Sequence, residues 1–475
     1  MKVRGFAERG LAFPCRSIVA TVLLLAVRAP VIVAQSTTAP SSTPAFYDWA
    51  LTPPMGWNSY DAFGDTVTEA QVLANAHYLR DKLFDAGYRY VVIDFRWYDP
   101  GAEGIDARLN RDRTGAALTA DSFGRLLPAV NRFPSAADGE GFKPLADQIH
   151  GMGLKFGFHM MRGIPRQAVK AKTPIEGSTF TAADAGDPAN RCVWCPDMFG
   201  VRNNAAGQAW YDAMYRLYAS WGLDFVKVDD LSVPYSRAEI EMIRRAIDRC
   251  GRPIVFSTSP GPTDVRWADH ISTHANMWRI SGDFWDRWSK LNAQFDLLAS
   301  WNGVGGPGRW PDADMIPLGH IAIRSAAGGT DHRSHFTPAE QQTLMTLWCL
   351  APSPLMLGMN LPDNDDATLS LIANKDLTAI DQDPLGRPAE RAATFYGGRE
   401  IWKRALTGGA MAMGLFNRGS SSSQITLRAD DIGLSGDWSV RDVLNAKATG
   451  AFSAATPLTL AVPPHGSVLL RLDPR

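Results

Sequence analysis

The chain has 475 residues, with Lys+Arg 48 against Asp+Glu 49, a net charge of -1, and 45% hydrophobic residues. A near-neutral chain lacks the basic field that nucleic-acid binding needs, and 15 Trp, 21 Phe and 11 Tyr exclude a disordered chain. The length suits two or three domains, or one barrel-sized domain with an addition.

At the N-terminus Lys2, Arg4, Arg9 and Arg16 form a positive region and residues 18–26 an apolar one. Ile32-Val33-Ala34 then offers a small-residue cleavage site before Gln35. This pattern predicts a signal peptide over residues 1–34 and a secreted or periplasmic protein. A membrane anchor needs about 20 apolar residues and finds too few, so no membrane association is expected once the signal is removed. Residues 35–50, which open Ser/Thr/Pro-rich, read as a linker. Cys15 falls inside the signal. Cys192-Val-Trp-Cys195 finds no second ligand pair at zinc-site spacing, which leaves a local disulfide bond or two buried thiols.

Between residues 51 and 387 short apolar runs alternate with longer helical patterns, as repeated βα units do. Strands are expected at 55–57, 90–94, 154–159, 224–229, 253–257, 277–280, 309–312 and 354–358. Thr66 with Glu69, Ser236 with Glu239, and Thr337-Pro338 with Glu340 each place a hydroxyl three residues before a Glu, a helix-start signal. Eight such units predict a (β/α)8 TIM barrel. The stretches 98–141 and 162–204 are then insertions at the mouth. From 388 to 475 Gly and Ser clusters separate short alternating strands at 411–416, 439–443, 457–462 and 467–472, which predicts a C-terminal antiparallel β-sandwich that packs against the barrel.

Barrel active sites gather at the C-terminal ends of strands. Those ends are acidic here: Asp94; Lys227, Asp229 and Asp230; Arg279 and Asp283; Asp312 and Asp314. Glycosidic cleavage through an oxocarbenium-like transition state needs two carboxyl groups flanking the sugar. A single strand-end Asp is as readily a helix cap, as Asp94 or Asp312 alone could be. Lys227-Val-Asp229 says more, because period-two alternation points both side chains into the lumen and a Lys keeps a neighbouring carboxylate ionised, as a nucleophile requires. A structural ion pair is the alternative for these two. Asp230 points the other way and reads as a cap. His159 lacks companions at ligand spacing, so a hydrogen-bonding role is expected and no metal.

Thr52-Pro-Pro-Met-Gly-Trp-Asn-Ser-Tyr60 with Phe63-Gly64 resembles the opening of the clan D α-galactosidases, the melibiases of glycoside hydrolase family 27. Lys227-Val-Asp229, Arg279-Ile-Ser-Gly-Asp283, Gly306-Pro-Gly-Arg-Trp-Pro-Asp-Ala-Asp-Met315 and Gln382-Asp-Pro-Leu-Gly386 are similar to that family in the same order. Val440-Arg-Asp-Val443 and Val462-Pro-Pro-His-Gly466 extend the likeness towards the C-terminus. The resemblance implies a retaining double displacement with Asp229 as nucleophile and Asp283 as acid/base, and no cofactor. It also implies that Arg279, Lys227, Asp94 and Trp57 bind the sugar, Trp57 as an aromatic wall.

Three departures surround the sugar. The family's two consecutive Asp residues after the second strand are here Asp94-Phe95, a common Tyr after the third strand is His159, and the position that carries a Glu toward O2 is Ser259. The chain is therefore expected to be an exported α-galactosidase acting on oligosaccharides or polysaccharides. A β-L-arabinopyranosidase, an α-N-acetylgalactosaminidase or an α-glucan-active enzyme is the alternative that Phe95 and Ser259 motivate. A non-catalytic sugar-binding barrel is a further one.

Overall fold

The computed structural model describes residues 43–104 and 117–475. The expected signal segment, Cys15, most of the Ser/Thr/Pro-rich leader and part of the first insertion lie outside the described residues.

Eight parallel strands, β1 (Met55–Asn58), β2 (Tyr90–Ile93), β3 (Lys155–Met161), β4 (Phe225–Asp229), β5 (Val255–Thr258), β6 (Met277–Arg279), β7 (Trp310–Asp312) and β8 (Leu355–Leu357), pair in the order β7-β6-β5-β4-β3-β2-β1-β8. The seam between β7 and β8 is stitched by Ile316, beyond the end of β7, which forms a parallel bridge to Leu357. Its N–H donates to the Met356 carbonyl at 2.8 Å and its carbonyl accepts from Gly358 N at 3.1 Å. The expected TIM barrel is present, and each expected strand lies within a few residues of its place.

Helices α1 (Glu69–Tyr78), α2 (Lys143–Gly151), α3 (Ala205–Ser220), α4 (Arg237–Arg249), α5 (Ala268–Ser272), α6 (Trp288–Ser300), α7 (Pro338–Leu350) and α8 (Asp366–Ile372) follow the strands in turn. The start of α7 is the expected capping box, Thr337 Oγ1 accepting from Glu340 N and Glu340 Oε2 from Thr337 N. At α1 the box lies two residues later than expected, on Thr68 and Gln71. Thr66 instead donates its hydroxyl to the Phe63 carbonyl, and Glu69 binds Ser135. Ser236 precedes α4 without capping it, because Glu239 is drawn into a buried cluster with Arg162 (2.6 Å) and Tyr211 (2.5 Å).

Strand alternation sorts the barrel residues into two layers. Val91, Ile93, Phe156, Phe158, Val226, Val228, Phe256 and Trp278 join the large core between sheet and helices, whereas Tyr90, Val92, Phe225, Val255, Met277, Trp310 and Met356 fill the lumen. Ala45–Ala50, within the expected linker, is a 3-10 turn against this lumen layer, with the Ala50 carbonyl accepting from Trp310 Nε1 at 2.8 Å and the Phe46 carbonyl from Asn276 at 2.9 Å. The lumen is thus filled from below, and polar strand ends are left at the top.

The C-terminal part holds β9 (Glu390–Phe395), β10 (Arg399–Ala405), β11 (Met411–Asn417), β12 (Ser423–Leu427), β13 (Trp438–Asp442), β14 (Lys447–Phe452), β15 (Leu458–Val462) and β16 (Ser467–Pro474). Six form one antiparallel sheet, ordered β9-β10-β11-β16-β13-β14, and β12 pairs with β15. One face of the large sheet (Ile401, Met413, Leu415, Leu470, Leu472) packs on Ile425, Leu427 and Val462 as a sandwich. The other face (Trp402, Ala412, Phe416, Leu469) joins the barrel's core. Gly414 approaches α7 so closely that a Cβ there would lie 2.4 Å from Leu350.

Candidate active site

The top of the lumen opens into a pocket of about 210 Å³. Its floor comes from strand ends that alternation turns inward. Asp94, just past β2, accepts from Asn58 Nδ2 at 2.7 Å and from Lys227 Nζ at 2.9 Å on one oxygen, and from Phe95 N on the other. Burial favours the neutral acid, but Lys227 and His159 outweigh it and hold Asp94 below the usual carboxylate range. Burial would likewise discharge Lys227, and Asp94 and Asp229 reverse that and hold it firmly protonated.

Asp229 ends β4. Its burial raises the carboxyl pKa, yet His159 and Lys227 more than compensate, and the net displacement is far below the ordinary range. His159 Nε2 lies 3.1 Å from Asp229 Oδ2, off the line of a good hydrogen bond. Arg279, the last residue of β6, reaches Asp314 at 2.7 Å and Asp283 at 3.3 Å through Nη2. Asp314 also accepts from Phe284 N at 2.7 Å. Its carboxyl is pushed up to about 7 by burial, to which Asp283 and Asp312 add, although Arg279 opposes the rise. Asp283 stands on the loop after β6 with its side chain 53% exposed.

Six of the eight expected site residues line this pocket: Asp94, Lys227, Asp229, Ser259, Arg279 and Asp283. Two do not. Trp57 is fully buried in the sheet–helix layer, its Nε1 bound to the Met359 carbonyl at 2.7 Å. The alternation that turns Lys227 and Asp229 inward turns Gly56 and Asn58 inward on β1, so Trp57 faces the helices and is no pocket wall. His159 is also fully buried, beneath Asp229, with Phe95 set edge-on against it at 5.4 Å. It meets the carboxylate as a support and does not reach the cavity. Asp230 caps no helix. It adopts a left-handed φ of 67° and pairs with Arg162 at 2.9 Å.

The aromatic walls are Tyr60, Phe95, Trp194, Phe284 and Trp285, and Asp61, Pro260, Asp314 and Met315 complete the lining. Tyr60 follows the β1 motif, and the Asp after Asp312-Ala is visible in sequence. Trp194, supplied by the 162–204 insertion, had no local signal. That insertion folds around a three-stranded sheet of Ile164–Pro165, Gly186–Asp187 and Met198–Val201. It is anchored by Arg96, fully buried, whose Nε and Nη2 each donate to Asp197 at 3.0 Å. Cys192 and Cys195 flank Trp194 as buried free thiols, not as a disulfide, and the Cys195 N–H points at Cys192 Sγ at 3.3 Å.

The family model for α-galactosidase A matches residues 202–383, and that for the α-galactosidase C-terminal β-sandwich domain matches residues 396–472. An α-galactosidase of Coffea arabica is 31% identical over 436 residues, covering 90% of this chain and 94% of its own. The chain belongs to the α-galactosidase family, glycoside hydrolase family 27. It is therefore a glycoside hydrolase. Within the family, the solved β-L-arabinopyranosidase of Geobacillus stearothermophilus is 45% identical, with a TM-score of 0.86 and coverage of 90% of this chain and 98% of that one. An α-galactosidase from Mortierella vinacea is 25% identical with a TM-score of 0.69, over 90% of this chain and 98% of that one.

Proposed function

We propose that this family 27 enzyme is a retaining exo-glycosidase for terminal sugars of α-D-galacto configuration, with β-L-arabinopyranosides as its preferred substrates and α-D-galactosides second. A β-L-arabinopyranoside has the ring configuration of an α-D-galactoside but lacks the hydroxymethyl group on C5. The observation that carries the preference is Phe95: an apolar ring stands in the pocket wall immediately after Asp94, where the family resemblance expects a second carboxylate. A wall without that acceptor holds a hydroxymethyl group less well, and a buried hydroxyl left without a partner costs roughly 1–3 kcal/mol. The 45% identity to an arabinopyranosidase supports the same reading. The expected α-galactosidase activity is the second reading, favoured by the curated relatives such as that of Coffea arabica.

In this mechanism Asp229, kept ionised by Lys227 and His159, attacks the anomeric carbon, and Asp283 gives its proton to the leaving oxygen. The glycosyl-enzyme ester is then opened by water, with Asp283 taking the water's proton. Lys227 and Asp94 hold ring hydroxyls, and Arg279 fixes the position of Asp283. A lumen filled below the floor supports entry of one terminal ring. The charged and apolar segments of residues 1–34 support export.

Aryl glycosides decide the sugar. We expect kcat/KM on the β-L-arabinopyranoside to exceed that on the α-D-galactoside by about tenfold or more, the equivalent of ~1.4 kcal/mol. A higher value on the galactoside would return the enzyme to the second reading. Proton NMR of the first-formed anomer tests retention, and an inverted first product would rule out Asp229 as nucleophile.

A further inference from the structure

Three residues past Asp283, outside the sugar pocket, Asp286 is buried and its Oδ2 alone faces three nitrogens. These are His332 Nε2 at 3.0 Å, His335 Nδ1 at 2.9 Å and the His335 backbone N–H at 2.7 Å. The other nitrogen of His332, Nδ1, lies 2.5 Å from the Thr330 carbonyl. A carbonyl only accepts, so Nδ1 carries a proton, and Nε2 meets the carboxylate oxygen at 3.0 Å either through a second ring proton or through a lone pair directed at a bound cation.

We propose that Asp286, His332 and His335 bind a divalent transition-metal ion of the zinc class. Their three donor atoms all lie within 4.8 Å of one another, close to the spread around an ion with ligand bonds of about 2.0–2.2 Å. Two imidazoles and a carboxylate suit such an ion, with water as a fourth ligand. An imidazole whose second N–H is held by a backbone carbonyl is already oriented and in the correct tautomer for ligation. The His332 and His335 rings stack at 4.1 Å and 20°, which holds both on the same side of the carboxylate. A cavity lined by Asp283, Trp285, Asp286 and His335, with Arg287 and Lys290 also on its wall, reaches the cluster.

The ion would join the loop after β6 to the loop after β7. The first carries Asp283 and Trp285; the second carries both histidines and Gly328, on which Trp285 packs so closely that a Cβ would lie 2.5 Å from its ring. The site therefore positions the segment that bears Asp283 and takes no part in the chemistry, and it does not depend on which sugar is cleaved. Sequence alone gave no sign of it, because Asp286 and His332 are 46 residues apart.

The test uses untagged, chelator-treated full-length protein at about pH 7.5, where imidazoles are neutral and able to ligate. Calorimetric titration with Zn²⁺ is expected to give one ion per chain, and Co²⁺ to give the visible absorption of a tetrahedral site. Asp286→Asn and His335→Ala are each expected to weaken binding by on the order of 100-fold or more, since even outer-shell losses cost about 10–100-fold. Zn²⁺ should raise Tm in the wild type in a concentration-dependent way, and not in His335→Ala. The His335 side chain is 67% exposed, so that variant keeps its fold even if Asp286→Asn does not. Absence of stoichiometric binding by the wild type, or equal binding by His335→Ala, would overturn the proposal and leave a proton as the cation on this cluster.

Discussion

Asp229 and Asp283 are carboxyl groups of one pocket in unlike surroundings. The Asp229 side chain is 14% exposed and wedged between His159 and Lys227, on a strand whose neighbours on both sides are hydrogen-bonded. The Asp283 side chain is 53% exposed, on a loop, and meets Arg279 at 3.3 Å. A nucleophile needs fixed position and permanent charge, which the floor supplies. A proton donor and acceptor needs contact with the leaving group and with water, which the rim supplies. In the proposed mechanism the barrel thus separates two roles of one functional group by depth.

Substitutions graded from floor to rim probe that separation. Asp229→Ala should remove the most, about 10⁴-fold or more in kcat, as loss of a nucleophile does in other enzymes that act through one; single-turnover hydrolysis of an aryl glycoside measures it. Asp283→Ala should cost roughly 10²–10⁴-fold. That loss should shrink for aryl glycosides with good leaving groups, so kcat across a leaving-group series separates the two carboxyls.

Lys227→Met tests the electrostatics of the floor. In the proposed mechanism Asp229 must be ionised to attack, and its pKa lies far below the ordinary value because His159 and Lys227 outweigh burial. Without the ammonium the pKa rises, so the acidic limb of the kcat/KM profile moves to higher pH. Stability follows the same sign: the depressed pKa contributes above the unfolded value of about 3.9 and that contribution is lost as pH falls towards the folded value. Urea unfolding across the acid range should show a smaller pH dependence in the variant.

Phe95→Asp restores the carboxylate that the family resemblance expects. It should shift the arabinopyranoside-to-galactoside ratio of kcat/KM by about tenfold towards the galactoside, near the value of one buried hydroxyl contact. Trp194→Ala should have the smallest effect, a KM increase of severalfold with kcat nearly unchanged, because a rim aromatic contributes about 0.5–1.5 kcal/mol beyond its area. A large kcat loss there would show that the insertion takes part in the chemistry of the floor.

The difference between floor and rim also marks what could be read from the chain. Apolar runs ending in Asp or Lys announce barrel strands, and period two assigns their faces, so Lys227 and Asp229 were legible without coordinates. Trp57 was misassigned because the parity of β1 is set by its pairing with β2, where Gly56 meets Tyr90. Trp194 was invisible because its position depends on Arg96 and Asp197, far apart in sequence. In the sandwich, β9 and β14 lie at the edges of the large sheet, where one-sided burial is partial and alternation fades. The cap at α1 shifted because Thr66 and Glu69 found other partners.

The large C-terminal sheet, apolar on both faces, has a consequence for handling the protein. Cutting the chain near residue 388 would strip Trp402, Phe416 and Leu469 from the barrel and bare Leu350 of α7, leaving a contiguous apolar surface of the kind that drives aggregation. The sandwich is in this sense a missing wall of the barrel and not an appendage. Library construction, domain exchange or expression of a shortened enzyme should therefore treat residues 44–475 as one indivisible body.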